Sequence, residues 1–339
     1  MCISKIVYGS KLLSSFSCAL IRIKNSRYVR DVHNRSYLDM FDYKQLSKPL
    51  PKYFNEIITD NNCFGIGYSI RKYCSWKKSY IKALVEHGYF FGSYVSSQET
   101  MTFANTILTF GEVRVKHIQN HIEKKKAIPI GPYIHYANQY LTELEFGNIK
   151  KMLGRTLLVF FSHAPTGCSV SFDIDYLISK IEQIRHDYDS VVISLFWSDI
   201  TLEVEEKLLK KDYKIFCSGH RYDYNFLSRQ KSMIELSDMT MSNSVGTHIA
   251  YCTYLRKPHW IVRQEIKTTA NSDKGNANLA IDNWQASDST HNSEIEELYS
   301  IFSEYKKLLT SEQDMICKKY FGFEHIKTPI EMFNLLKSL

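Results

Sequence analysis

The eight cysteines (Cys2, Cys18, Cys63, Cys74, Cys168, Cys217, Cys252 and Cys317) include no C-x-x-C pair. A zinc ribbon and a thioredoxin-type motif are thereby excluded. Buried free thiols in a reducing compartment are the simple account, and a cytoplasmic location follows from it. The chain also lacks G-x-G-x-x-G and G-x-x-x-x-G-K-[ST], so neither a standard dinucleotide enzyme nor a P-loop NTPase is expected. No apolar run approaches the roughly 18–20 residues needed to span a bilayer. With only seven prolines and fourteen glycines, collagen-like and linker-dominated chains are excluded. No internal repeat or low-complexity tract interrupts the sequence.

What remains is a globular composition. The 339 residues are 44% hydrophobic, 23% charged and 14% aromatic, enough for two ordinary domains with well-filled cores. The formal net charge is +7. Part of it is local: Lys5, Lys11, Arg22, Lys24, Arg27 and Arg30 precede the first acidic residue, Asp31. Serines break up the apolar part of this segment, which makes it a poor signal peptide. Residues 1–40 are expected to form a basic amphipathic helical segment, either plain packing or a surface for anionic lipid. No element combines a basic stripe with interleaved aromatics, so nucleic acid is not an expected partner.

The strongest pattern lies between residues 155 and 262. Strands are expected at 156–161, 190–196, 214–217, 239–241 and 259–262. Between them, helical spacing runs over 173–187, 201–211, 224–237 and 245–255. Such alternation produces a parallel sheet with right-handed crossovers, a Rossmann-like domain. The first half is less regular. Strands at 81–86 and 105–110 and a helix over 113–124 predict a looser α/β domain. The polar segment 264–292 reads as a loop, and helices are expected over 293–309, 311–319 and 328–338, with Pro329 in the first turn of the last.

Ligands of parallel α/β sheets bind beyond the carboxyl ends of the strands, and four such ends carry polar clusters. Glu86-His87-Gly88 places a carboxylate beside an imidazole, either a general-base site or a solvated turn. Ser162-His163-Ala164-Pro165-Thr166-Gly167 puts a histidine where the sheet opens, as a phosphate ligand or in a capped loop. Gly219-His220-Arg221-Tyr222-Asp223 could floor a nucleobase or sugar, or Asp223 could simply cap the following helix. Ser242-Asn243-Ser244-Val245-Gly246-Thr247-His248 opens a helix, whose free amides and positive dipole end suit a mono- or diphosphate. Ile130-Gly131-Pro132-Tyr133-Ile134-His135-Tyr136 is an aromatic loop that could line an acceptor cleft or serve packing.

This succession, with Tyr251, Tyr254-Leu255 and Lys257-Pro258 after the last cluster, resembles bacterial surface-polysaccharide (O-antigen or capsule) GT-B glycosyltransferases over about residues 60–262. It is more weakly similar to bacterial sialyltransferases that use CMP-sugars, with Glu86-His87-Gly88, His163-Ala-Pro165 and Ser242-Asn-Ser244 standing where that pattern has an acidic pair before Gly, His-Pro and paired serines. The resemblance implies an α/β, GT-B-like fold: two facing Rossmann-like domains, with an acceptor domain over 41–150, a nucleotide-sugar donor domain over 151–292, and C-terminal helices 293–339 crossing back. It also implies sugar transfer to a lipid-linked or growing lipopolysaccharide or capsule chain, on the inner face of the cytoplasmic membrane and without a bound metal. In that scheme Glu86 is the base with His87 as substitute, and His163 stabilises the leaving phosphate. The donor is held by Gly219, His220, Asp223, Ser242, Asn243, Ser244, Gly246, Thr247 and His248, while Gly131 and Tyr133 line the acceptor cleft.

Overall fold

The computed structural model describes residues 3–51 and 54–339, with only the backbone given for 3, 4 and 27–29. Met1, Cys2 and the Arg27 side chain, which belong to the expected basic segment, therefore lie outside the described residues. Among the described residues there are ten strands: β1 Leu84–Val85, β2 Thr106–Thr109, β3 Lys126–Pro129, β4 Thr156–Phe160, β5 Cys168–Ser171, β6 Ser190–Ser194, β7 Lys214–Phe216, β8 Met239–Ser242, β9 His259–Ile261 and β10 Lys267–Ala270.

Two parallel sheets are built from them. The first has the order β1-β2-β3 and the second the order β7-β6-β4-β8-β9. The second is a Rossmann-like winding: the chain starts in the middle with β4, moves outward to β7, then returns to the other side with β8. Its switch point is the β4–β8 pair. The strands read as unbroken apolar runs because both faces are covered. Leu157 and Val159 of β4 pack with Ile178, Ile181, Val191 and Ile193. The alternate residues Leu158 and Phe160 enter a core shared with Val85, Leu108, Phe110, Ile249 and Phe321. That core joins the two sheets and the last helices.

Three differences from the expectations have physical causes. The 81–86 strand shortens to two residues, because only Leu84 and Val85 find a parallel partner in β2. The basic segment is three helices, Ile3–Gly9, Lys11–Lys24 and Ser26–Asn34, and not one. The polar stretch 264–292 is ordered. Its β10 pairs antiparallel with β5, and the helix Asp273–Ser287 packs on that ribbon. Composition hides this helix because its sole buried residue is Gly275, set against the Gly167 backbone.

The helices Ser289–Phe302, Ser311–Phe321 and Pro329–Ser338 close the chain. They reach the first sheet where Gly322 meets Gly111 and Gly131. At Gly131 φ is +71°, and a Cβ there would sit 3.0 Å from the Gly322 carbonyl oxygen. Only glycine allows that backbone approach. No helix among the described residues is long and apolar enough to cross a membrane.

Candidate functional site

The carboxyl ends of both sheets meet at one cleft. On the second sheet the loop after β4 is stitched to the loop after β8. The Ser162 amide and hydroxyl donate to Asn243 Oδ1 at 2.8 and 2.9 Å, and the Ser162 and Ser244 hydroxyls lie 2.6 Å apart. These bonds hold the crevice at the switch point in one shape. The helix Thr247–Tyr254 starts there, with Gly246 at its N-cap and no side chain capping it.

His163 stands beside this crevice. Its ring stacks on Phe196 at 4.5 Å. It is exposed, yet protein surrounds it closely enough that desolvation lowers its pKa, aided by Arg221 and His87 and opposed by Asp199. A neutral imidazole, with one N–H to donate, is the form favoured at neutral pH. Asp199 accepts from the Ala164 amide at 3.0 Å and from Ser198 at 2.9 Å, so it fixes the His163 loop. It does not cap the following helix, a role taken by Thr201.

Three buried nitrogens around the strand ends have no hydrogen-bond partner among the described residues: Trp197 Nε1, Arg221 Nε and His248 Nε2. Buried polar atoms normally find a partner in protein or water, and among the described residues six others, Ser69 Oγ and Tyr89 Oη among them, are also unpaired. His248 stacks on Phe160 at 5.0 Å, and burial together with His163 pushes its pKa down to about 3.

The facing wall comes from the first sheet. His87 Nδ1 lies 3.1 Å from Asp60 Oδ2. A carboxylate only accepts, so Nδ1 carries the proton and Nε2 is left as an acceptor. Asp60 is 4% exposed, whereas the His87 side chain is 28% exposed. Phe64 spans the gap, with its ring 6.1 Å from His87 and 6.3 Å from Phe196. The walls are locked together nearby. Gly65 at φ +68° touches the Tyr224 carbonyl so closely that any Cβ would collide, and the Tyr89 amide donates to Thr247 Oγ1 at 3.0 Å.

Several expected site residues lie elsewhere. Glu86 is 1% exposed and turns inward. Arg114 Nη2 donates to its Oε1 at 2.6 Å, Nε reaches both oxygens, and Thr109 donates to Oε2. Burial favours the protonated acid, but Arg114 prevails and holds Glu86 below the usual carboxylate range. Both oxygens are thus occupied, and Glu86 cannot serve as a base in the cleft. Arg114 also donates to Glu99 at 2.8 Å. One arginine cannot neutralise two buried carboxylates. Burial and the Glu86 charge push Glu99 up to about 9, so the pair retains a proton.

Asp223 is fully buried on Arg229 at 2.9 Å and receives the Asn225 amide. It shapes the turn before the helix Phe226–Leu236 and does not face a donor. Gly219, at φ +110°, fits against that ion pair. His220 is 5% exposed and lies under Trp197 at 4.2 Å. Burial, then Arg35 and Arg221, push its pKa down to about 3. Ser242 is buried between the Ser244 carbonyl and His259, and Asn243 is buried too, so both shape the crevice from beneath. The Thr247 hydroxyl accepts from the Tyr89 amide, and its own O–H remains available to donate. Gly131 and Tyr133 do not line a cleft: Gly131 meets the C-terminal helices, and Tyr133 is buried 4.3 Å from Phe110.

The open groups brought together are His87, Ser162, His163, Ser244, Gly246 and Arg221, with Asp60 and Asp199 positioning. Sequence reasoning missed Asp60 because it lies in the polar turn Thr59–Gly65, with no strand before it. Among the described residues no cluster of His, Cys, Asp and Glu is arranged to hold a metal ion. Of the two D-x-D triplets, Asp173 caps a helix and Asp175 binds Lys207, while Asp187 holds Lys307 and Asp189 lies against the Gly154–Arg155 turn.

Two parallel sheets with helices on their faces, their carboxyl ends turned towards each other, form a two-sheet Rossmann-like α/β layout. No family model matches the chain, and no curated protein matches its sequence. Among solved structures, the S. aureus MnaA–UDP co-structure is similar with a TM-score of 0.39 and 10% identity, covering 82% of this chain and 79% of that one. UDP-GlcNAc 2-epimerase from Methanocaldococcus jannaschii gives 0.37 and 11%, covering 81% and 80%.

Proposed function

We propose that this protein is a glycosyltransferase that moves a sugar from a nucleotide-sugar to a lipid-linked or growing surface polysaccharide of the O-antigen or capsule type. The observation that carries the reading is the opposition of two walls. An open imidazole oriented by a carboxylate, Asp60–His87, faces a crevice of hydroxyls, helix amides and neutral His163.

In this reading His87 Nε2 takes the proton of an acceptor hydroxyl as its oxygen attacks the anomeric carbon. The glycosidic bond to phosphate breaks, and the departing phosphate collects charge. His163 and the amides at Gly246–Thr247 donate to it, with Arg221 supplying positive charge, and Ser244 joins them when its O–H turns away from Ser162 Oγ. Asp60 positions His87 and stabilises the imidazolium that forms. Hydroxyls, helix amides and an imidazole suit one phosphate or two, so a diphosphate-sugar and a CMP-sugar are both donors to try.

Thermal unfolding with CMP, CDP and UDP is the first test. A nucleotide at a hundred times its Kd raises stability by about 2.7 kcal/mol. Stabilisation by one of them, followed by sugar turnover on a lipid-linked acceptor, supports the reading. Stabilisation without turnover on any acceptor makes the protein a nucleotide binder. Indifference to all nucleotides removes the reading altogether.

A further inference from the structure

The helix Lys11–Lys24 is attached to the molecule by one side only. Ser14 and Cys18 are buried, Ile21 packs beside them, and the Cys18 thiol reaches the Glu56 carbonyl. The opposite side is apolar and open: Leu12 is 82% exposed, Phe16 64%, Leu20 51% and Ile23 72%. At 3.6 residues per turn these four fall within roughly 80° of arc, about half a turn from the anchoring residues. They form one continuous stripe rather than scattered surface leucines.

The stripe has cations on both borders. Lys24 falls beside the stripe, whereas Arg22 and Lys11 fall on its other flank, roughly 80–100° from it, where Lys11 Nζ lies 5.5 Å over the Tyr80 ring; exposed Lys5 and Arg30 extend the charge to the adjoining helices. No acidic residue occurs before Asp31. Long basic side chains beside an apolar stripe can keep their charges at lipid headgroups while the stripe enters the acyl boundary. A second copy of the chain would bring like charges face to face along the same borders. An anionic surface complements both features.

We infer that the helix Lys11–Lys24 lies in the plane of an anionic lipid membrane, with Leu12, Phe16, Leu20 and Ile23 inserted and Lys11, Arg22 and Lys24 on headgroups. The helix lies along the surface and does not cross, since it is too short to span the hydrocarbon. This goes beyond the proposed reaction and does not depend on it.

The test is co-sedimentation of the full chain with vesicles of phosphatidylcholine alone or with 30% phosphatidylglycerol. The expected result is binding to the mixed vesicles at low salt, weakened at high salt, and little binding to phosphatidylcholine. Each cation near an anionic surface contributes about fivefold. The triple variant Lys11→Gln/Arg22→Gln/Lys24→Gln should therefore lose roughly a hundredfold in partition. Leu12→Ser/Phe16→Ser/Ile23→Ser should lose at least tenfold while keeping the wild-type Tm, because all three side chains are exposed. Wild-type protein remaining in the supernatant with mixed vesicles at low salt overturns the inference. So does a stripe variant that dissociates a wild-type dimer but binds vesicles undiminished, for then a second copy covers the stripe. Nucleotide stabilisation is read separately and distinguishes failure here from failure of the catalytic reading.

Discussion

The first and second sheets reach the cleft in different ways. At the second, residues that directly follow the strands present the open groups: Ser162 and His163 after β4, Ser244 after β8. At the first, the strand end turns its carboxylate away. Glu86 closes onto Arg114 and Thr109, and the residue beside it, His87, meets the cleft with the help of Asp60 from a separate turn. A polar residue at a strand end is thus open only when the neighbouring strand and helix leave its partners to solvent. Arg114, on the helix Glu112–His121, decides this for Glu86.

The largest effect should separate His87 from Glu86. Loss of a general base typically costs on the order of 10²–10⁴ in rate. His87→Gln should lower sugar transfer by that much and leave nucleotide affinity intact. Glu86→Gln should keep turnover per folded molecule within about tenfold. The reverse ranking in steady-state assays would return Glu86 to the cleft. Next comes Arg114→Leu, which strands two carboxylates in the interior. Urea unfolding should show a loss of about 3–5 kcal/mol, and an unchanged midpoint would mean that the cluster is solvated.

A smaller effect tests the shared proton. Glu99 titrates near 4.5 in the unfolded chain and is pushed up to about 9 in the fold. Folding therefore takes up a proton between those values. The contribution of Glu99 to stability is full below about 4.5 and is lost as pH rises towards 9. One proton corresponds to at most about 1.4 kcal/mol per pH unit. Glu99→Gln should match the wild type near pH 4.5 and become progressively the more stable protein up to pH 9. Glu56, buried and pushed up to about 7, has the same sign but is present in both proteins. Parallel curves would mean that Glu99 is ionised in the fold. The smallest effect belongs to Ser244→Ala, which removes one hydroxyl from the crevice. Nucleotide binding by calorimetry should weaken by about 0.5–1.5 kcal/mol, and an unaltered affinity would move the phosphate elsewhere.

The second sheet was legible because its strands are short apolar runs separated by amphipathic helices, a pattern set by burial on both faces. Its strand-end clusters were legible as places, less so as roles. Asn243, Ser242 and Asp223 have the residue types of ligand contacts, but their partners are the distant residues Ser162, His259 and Arg229, and sequence spacing does not reveal who satisfies whom. The first sheet was harder. Lys126–Pro129 carries a charge and a proline, yet forms an edge strand, where Pro is tolerated. The Asp60–His87 pair joins residues 27 apart through a turn with no periodic signal. Gly131-Pro132-Tyr133 looks like an open aromatic loop until the helix Ser311–Phe321 and its terminal Gly322 close over it.

The proposed reaction requires a nucleotide phosphate at the β4–β8 switch point opposite His87. A structure of the protein soaked with CMP and with UDP tests it most directly. Phosphate oxygens should lie within hydrogen-bond distance of Ser244, the Gly246–Thr247 amides and His163, with His87 Nε2 facing the sugar side. A nucleotide bound away from the start of the helix Thr247–Tyr254, or a phosphate that none of these groups touches, would contradict it.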